Sequence, residues 1–197
     1  MIRPQDRKNW FGRTFKEFSR AVEPYRGQPI HYVEVGCWLG DSAVWMCEEI
    51  LTHPDATGTG IDPYQDDYKR GSNEAVRLEA QERLSKFKQW NWIIGKSQDA
   101  LRMWPGTKID LLYLDGSHIA HDVLADFVFA FPHLKKGSTI IFDDWGVSRR
   151  KKDGIARVDV AVAAIQSCFA PFVEAASTGM TQAVLRIVKE PKIGELP

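Results

Sequence analysis

Five short apolar runs, each followed by an amphipathic stretch, constrain the fold of this chain more than any other feature. The runs cover residues 30–35, 57–61, 92–94, 109–114 and 139–142. Helical spacing follows them near residues 41–51, 73–87, from about Gln98, over 121–131 and over 158–169. Apolar runs of strand length, bounded by turn residues, predict strands buried on both faces, and such strands are parallel. The βαβα alternation predicts an α/β domain with a doubly wound sheet and helices on both faces. The tail breaks the rhythm. Two strand-like runs, 170–174 and 183–188, flank a Ser177-Thr178-Gly179 turn too short to hold a crossover helix, so they are expected to pair antiparallel. Upstream, Trp10, Phe11, Phe15, Phe18 and Val22 recur at helical spacing and predict a helix covering the sheet edge. The expectation is one domain over 1–197, a helical extension at 1–28 and a Rossmann-like core at 29–197.

A chain of 197 residues can bury a sizeable core without crosslinks. Its 26 basic and 26 acidic residues cancel, so no global field recruits nucleic acid or an anionic membrane. Cys37, Cys47 and Cys168 show no metal-ligand spacing and read as small apolar residues in a reducing compartment. The polar, charged stretch Met1 to Asn9 is no signal peptide, and no run approaches the roughly 20 apolar residues of a membrane span. A cytoplasmic protein is expected, with neither membrane nor nucleic acid as partner; the oligomeric state stays open.

Chemistry concentrates where two apolar runs end, at Asp115-Gly116-Ser117-His118 and at Asp143-Asp144. Open α/β sheets bind ligands beyond the carboxyl ends of their strands. If the two strands are neighbours, three carboxylates and an imidazole meet. Like charges so placed push carboxyl pKa values up unless a cation neutralises them, and an all-oxygen set suits a hard divalent ion such as Mg²⁺, Ca²⁺ or Mn²⁺. The plainer alternative makes Asp144 a helix cap and Asp115 a turn residue.

The first run ends in Glu34-Val35-Gly36-Cys37-Trp38-Leu39-Gly40-Asp41-Ser42. Its glycines let backbone approach a ligand. A dinucleotide fingerprint needs glycine where Trp38 stands, and Asp41 repels phosphate, so a phosphate-free cofactor with an amino-acid end and a cationic centre fits better. Asp62, after the second run, is placed to accept ribose hydroxyls or to serve as a turn residue. Ser97-Gln98-Asp99, after the third, is placed to reach an adenine edge, or Ser97 is a helix N-cap.

Together these segments resemble the class I S-adenosylmethionine-dependent methyltransferases, specifically the cation-dependent O-methyltransferases. The stretch from Val35 through Val44 resembles the first motif of catechol-type enzymes, and Gly95-Lys96-Ser97-Gln98-Asp99 resembles their adenine-contacting segment. Leu114-Asp115-Gly116-Ser117-His118 is similar to the matching segment of macrolide-sugar methyltransferases. The resemblance implies a mostly parallel seven-stranded sheet whose last strand runs antiparallel. It implies that Glu34, Gly36, Trp38, Gly40, Ser42, Asp62, Ser97, Gln98 and Asp115 bind S-adenosylmethionine. It also implies that Asp115, Asp143 and Asp144 hold a divalent cation, Mg²⁺ first, although catechol-type enzymes carry Asn where this chain has Asp144. His118 stands where sugar-type enzymes have a catalytic histidine.

The expected reaction is transfer of a methyl group to a hydroxyl of a small molecule, a sugar or polyol, with His118 taking the proton and Asp115 orienting it. The alternatives are a metal-independent methyltransferase and a nucleotide- or dinucleotide-binding Rossmann enzyme. His121 reads as a helix residue, and Trp145 reads as packing ahead of substrate stacking. The run 146–154, with Arg149-Arg150-Lys151-Lys152, is expected as a loop beside the acidic pair: a cationic lid, or a solvated charge run. Segment 63–71, with Tyr64 and Tyr68, is a second lid candidate.

Overall fold

The structure is a computed structural model describing residues 11–65, 73–105, 107–148 and 154–191. Its strands are β1 (His31–Val35), β2 (Thr57–Asp62), β3 (Trp90–Ile94), β4 (Ile109–Leu114), β5 (Leu134–Phe142), β6 (Val173–Thr178) and β7 (Ala183–Ile187). They form one seven-stranded sheet in the order β3-β2-β1-β4-β5-β7-β6. Strands β1 to β5 run parallel to one another, and β7 runs antiparallel between β5 and β6. The winding steps outward from β1 to β3, then returns to the other side of β1 with β4. The switch point between β1 and β4 opens the crevice in which such sheets bind ligands.

The helices are α1 (Phe11–Val22), α2 (Asp41–Trp45), α3 (Glu74–Leu84), α4 (Ser97–Arg102), α5 (Ala120–Ala130), α6 (Trp145–Ser148) and α7 (Val158–Cys168). Side chains alternate along each strand, which divides the core in two. Val33, Val35, Leu112, Leu114, Ile140 and Phe142 pack against Val123 and Phe127 of α5 and Val162 and Ile165 of α7. Tyr32, Leu111, Tyr113, Ile141 and Val184 face Phe18 of α1, Ala43 of α2 and Leu84 of α3.

Four features differ from the sequence reading. Helix α1 lies on a sheet face, not at an edge: Phe18 stacks on Tyr113 of the central strand β4 with ring centroids 4.7 Å apart. Helix α2 has only five residues before a π-turn over Met46–Ile50. It leaves the apolar patch of Tyr113, Ile141 and Val184 for the stripe of α1 to cover. Strand β5 begins at Leu134, ahead of the apolar run, because Lys135 to Gly137 belong to its less buried end. Strand β6 continues through Thr178, so its turn with β7 comes later than Ser177-Thr178-Gly179, and Gly179 N–H donates to the Gln182 carbonyl at 2.8 Å. Only Val173 of β6 is buried, as befits an edge strand, so no apolar run marks its extent.

Among the described residues no helix is long and apolar enough to cross a membrane. Residues 149–153 of the cationic run, and 66–71 of the other candidate lid, lie outside the described residues. Of their described residues, Gly146 to Ser148 belong to the helical turn α6, while 63–65 are irregular, with Tyr64 buried and its hydroxyl donating to the Trp38 carbonyl at 3.0 Å.

Candidate active site

Backbone bonds bring five strand ends into one row. Gly95 N–H, after β3, donates to the Asp62 carbonyl (3.2 Å), and Gly36 N–H, after β1, donates to Ile61 (2.9 Å). Asp115 N–H, after β4, donates to Val35 (2.9 Å), and Asp143 N–H, after β5, donates to Leu114 (3.0 Å). The β1 turn and the β4 turn touch. Gly36 sits at φ +87°, and a Cβ there would lie 2.3 Å from the Asp115 carbonyl oxygen and 2.7 Å from Gly116 Cα. Both obstacles are backbone, so glycine is required. It makes the glycine turn and the acidic segment two walls of one crevice.

The glycine turn is braced from below. Asp62 Oδ2 accepts from Cys37 N–H (2.9 Å) and Trp38 N–H (3.0 Å), and its Oδ1 accepts from Tyr64 N–H (2.8 Å). A carboxylate has about four acceptor positions, and bonds among the described residues fill three of them. Trp38 is held at φ +47°, an uncommon conformation for a residue with a side chain. Gly40, at φ +72°, ends the turn against Leu84 and begins α2, where Arg83 of α3 pairs with Asp41 at 2.7 Å. Glu34 is fully buried beneath the turn and accepts from the hydroxyls of Ser42 and Tyr32. Burial pushes its carboxyl up to about 7, against the pull of those two hydroxyls, with Asp62 and Asp41 raising it further. Ser42 and Glu34 are therefore bonded to each other, with Ser42 itself buried.

Ser97 opens α4 one residue inside the helix, whose N-cap is Lys96. The Ser97 hydroxyl donates to Asp126 Oδ1 of α5 at 2.6 Å. Asp126 is buried, and that burial pushes it up to about 6 despite the bonds of Ser97 and Gln98. The sequence passed over Asp126 as an ordinary helix residue. Its place on the apolar face of α5, between Val123 and Phe127, is the signal that marks it.

The acidic cluster closes the row. His118 Nδ1 lies 3.0 Å from Asp144 Oδ2, while its Nε2 lies 3.9 Å from Asp115 Oδ1. The nearer partner of the imidazole is thus Asp144, not the Asp115 expected from sequence. The cause is backbone: Asp144 adopts φ +56°, a left-handed conformation that aspartate tolerates better than most residues. Asp115 accepts from the Tyr113 hydroxyl at 3.4 Å, and Asp143 accepts from Gln182 Nε2 at 2.7 Å. Burial, then Glu34 and Asp144, pushes Asp115 above the ordinary carboxylate range; burial, then Asp115, does the same to Asp143. His121 is exposed and turned to Asp122 at 3.3 Å, and Trp145 packs against the core.

These residues match a methyltransferase-domain family model over residues 33–145, more than half of the chain. The chain belongs to that methyltransferase family. Curated relatives include the uncharacterized protein y4gI of Sinorhizobium fredii, 28% identical over 120 residues, or 59% of this chain and 13% of that one. Another is the uncharacterized protein R132 of Acanthamoeba polyphaga mimivirus, 26% identical over 171 residues, covering 82% of this chain and 74% of that protein. The chain thus spans a small part of the first relative and about three quarters of the second.

Solved methyltransferase structures share the fold. The O-methyltransferase NovP superposes with a TM-score of 0.70 at 20% identity, covering 88% of this chain and 79% of NovP. MycE, from mycinamycin biosynthesis and solved with Mg, SAH and mycinamycin VI, gives 0.66 at 17% identity, covering 93% of this chain and 51% of MycE. The methyltransferase sheet, seven-stranded and mostly parallel with antiparallel C-terminal strands, is therefore the architecture shared with class I S-adenosylmethionine-dependent O-methyltransferases.

The resemblance implies two bound groups, an adenosyl cofactor and a divalent cation. The Gly36–Gly40 turn, packed on the Asp115 backbone and underlain by the Asp62 carboxylate, suits an adenosyl cofactor bearing a cationic centre. Asp115, Asp143 and Asp144 offer oxygen donors, and burial first, then neighbouring carboxylates, raises Asp115 and Asp143. As arranged, Asp144 turns to His118 and Asp143 to Gln182. Among the described residues no group of three or more such side chains converges on a metal position.

Proposed function

We propose that this methyltransferase uses S-adenosylmethionine and a divalent cation to methylate a hydroxyl of a small molecule of the sugar or polyol class. The contact of Gly36 with the Asp115 backbone carries the reading, because it sets the cofactor turn and the acid–imidazole cluster side by side. Gly36, Trp38 and Gly40 line the methionine end, with Glu34 and Ser42 bracing the turn from beneath. Asp62 takes the ribose, and Ser97 with Gln98 takes the adenine. Asp115, Asp143 and Asp144 hold the cation. That MycE was solved with Mg and SAH supports Mg²⁺ as the first ion to test.

The cofactor supplies a methyl group on a sulfonium, and a divalent ion supplies positive charge that lowers the pKa of a hydroxyl. The protein does the rest. An acceptor hydroxyl held beside the cofactor's methyl would give up its proton to a nitrogen of His118 as its oxygen took the methyl. Asp144 fixes the imidazole plane and stabilises the imidazolium that forms. The two touching turns hold donor and acceptor in one geometry, a contribution worth several kcal/mol in well-aligned systems.

A metal-independent version has one observation in its favour: Asp144 already binds His118, an arrangement that serves proton transfer without an ion. One experiment separates the two. The protein is incubated with S-adenosylmethionine and a panel of sugars, polyols and phenols, with Mg²⁺ or with EDTA, and adenosylhomocysteine is measured. Product that vanishes under EDTA and returns with Mg²⁺ supports the cation; equal product in both favours His118 alone. No product with any hydroxylated acceptor opposes the O-methyl reading.

A further inference from the structure

Glu17 lies on α1, far in sequence from the site, yet its carboxylate is one of the most heavily bonded in the molecule. Oε1 accepts from Met180 N–H at 2.8 Å. Oε2 accepts from Thr181 N–H (3.0 Å), the Thr181 hydroxyl (2.8 Å) and Gln182 N–H (2.9 Å). Burial raises its carboxyl pKa, but these bonds together outweigh burial and hold it below the usual range. The β6–β7 turn closes tightly around it: a Cβ on Gly179 would lie 2.2 Å from Glu17 Oε2. On its other side the turn presses on the backbone following the acidic pair. Gly146 N–H donates to the Thr181 carbonyl at 3.2 Å, and a Cβ on Gly146 would lie 1.8 Å from the Met180 carbonyl oxygen.

The residue leaving this clamped turn is Gln182. It is 1% exposed, and its Nε2 donates to Asp143 Oδ1 at 2.7 Å. Its Oε1 is buried without a hydrogen-bond partner among the described residues. The amide is thus fixed at one end only by Asp143 and at the other by its own backbone, which Glu17 holds.

We propose that Glu17 is a positioning residue for the acidic cluster: through the β6–β7 turn it sets Gln182, and Gln182 aims the Asp143 carboxylate. The N-terminal helix is then part of the ion site, although it contributes no ligand. This rests on the reading of Asp143 as a cation-holding residue. Partners that orient metal ligands typically change metal affinity by 10- to 100-fold when removed. A staple that only stabilises the fold changes unfolding temperature and leaves affinity alone.

The test is Mn²⁺ binding to the full chain, measured by calorimetry at a temperature where every variant is folded, with no methyl transfer involved. Glu17→Gln, which retains one accepting oxygen and loses the other, should raise the Kd roughly tenfold, and Gln182→Leu should raise it 10- to 100-fold. The double variant should be no worse than Gln182→Leu, because both act along one route. Glu23→Gln, which removes an exposed partner of Arg26 just beyond α1, should bind as the parent does. Thr181→Val removes a single bond to Glu17 and serves if Glu17→Gln fails to fold; it should weaken binding by about two- to threefold, below the range for losing a direct partner. Parent-like affinity in Glu17→Gln, or in Thr181→Val if that variant must stand in, overturns the positioning role and leaves the cation reading standing. Absence of Mn²⁺ binding by the unaltered chain overturns both.

Discussion

Replacing Asp144 by Asn, with the ion held saturating so that loss of a ligand does not dominate, tests what the carboxylate does for His118. Residue 144 sits at φ +56°, and asparagine enters that region as readily as aspartate, so the backbone is left in place. What disappears is the charge 3.0 Å from His118 Nδ1. A hydrogen bond to a charged group is worth about 1.5–3 kcal/mol when water is excluded. Here the two side chains are 41% and 25% exposed, so screening reduces this to about 1–2 kcal/mol. Turnover at saturating Mg²⁺ should therefore fall roughly 5- to 30-fold. His118→Ala should cost about two to four orders of magnitude. If Asp144 acts through the imidazole, adding Asp144→Asn to His118→Ala should cost little more. The assay is adenosylhomocysteine formation for the parent, both single variants and the double, all at saturating ion and cofactor. Fully additive losses would refute the coupling, and a parent-like Asp144→Asn would remove the carboxylate from proton transfer altogether.

Two further perturbations test the frame around the site. Glu34 is pushed up to about 7 from an ordinary 4.5, so the folded chain keeps a proton that the unfolded chain releases between those values. Its contribution to stability is full below pH 4.5 and declines as pH rises to 7, by up to about 3 kcal/mol. Glu34→Gln lacks this decline, so the stability of the parent relative to the variant, from urea unfolding, should fall over that window; a difference independent of pH would place Glu34 in the ordinary range. Gly36→Ala forces a Cβ to within 2.3 Å of the Asp115 carbonyl oxygen at a positive φ. It should cost about 1–3 kcal/mol of stability and, by displacing both turns, reduce turnover on the order of a hundredfold. Parent-like urea unfolding and turnover would show that the turns need not touch.

The central parallel strands were legible because their runs are buried on both faces, and the antiparallel β7 because 177–179 leaves no room for a crossover. The extent of β6 and the polar start of β5 were not, since edge and terminal residues such as Glu174 and Lys136 face solvent and break no pattern. At the site, the acids and His118 showed themselves by lying at strand ends. Their pairing did not, because it depends on the left-handed backbone of Asp144, which residue order does not disclose. Asp126, Glu17 and Gln182 escaped for a related reason. Each acts on a segment distant in sequence, Asp126 on Ser97, Glu17 on the 180–182 turn and Gln182 on Asp143, and only the closed sheet brings these together.

The central claim is that a methyl donor and an ion share the crevice between β1 and β4. A crystal structure with adenosylhomocysteine and Mg²⁺ tests it most directly. The account predicts the sulfur end of the nucleoside against the Gly36–Gly40 turn and the ion on Asp115, Asp143 and Asp144, with His118 facing the space between. Adenosylhomocysteine bound elsewhere, or an ion bound away from those three carboxylates, would contradict it.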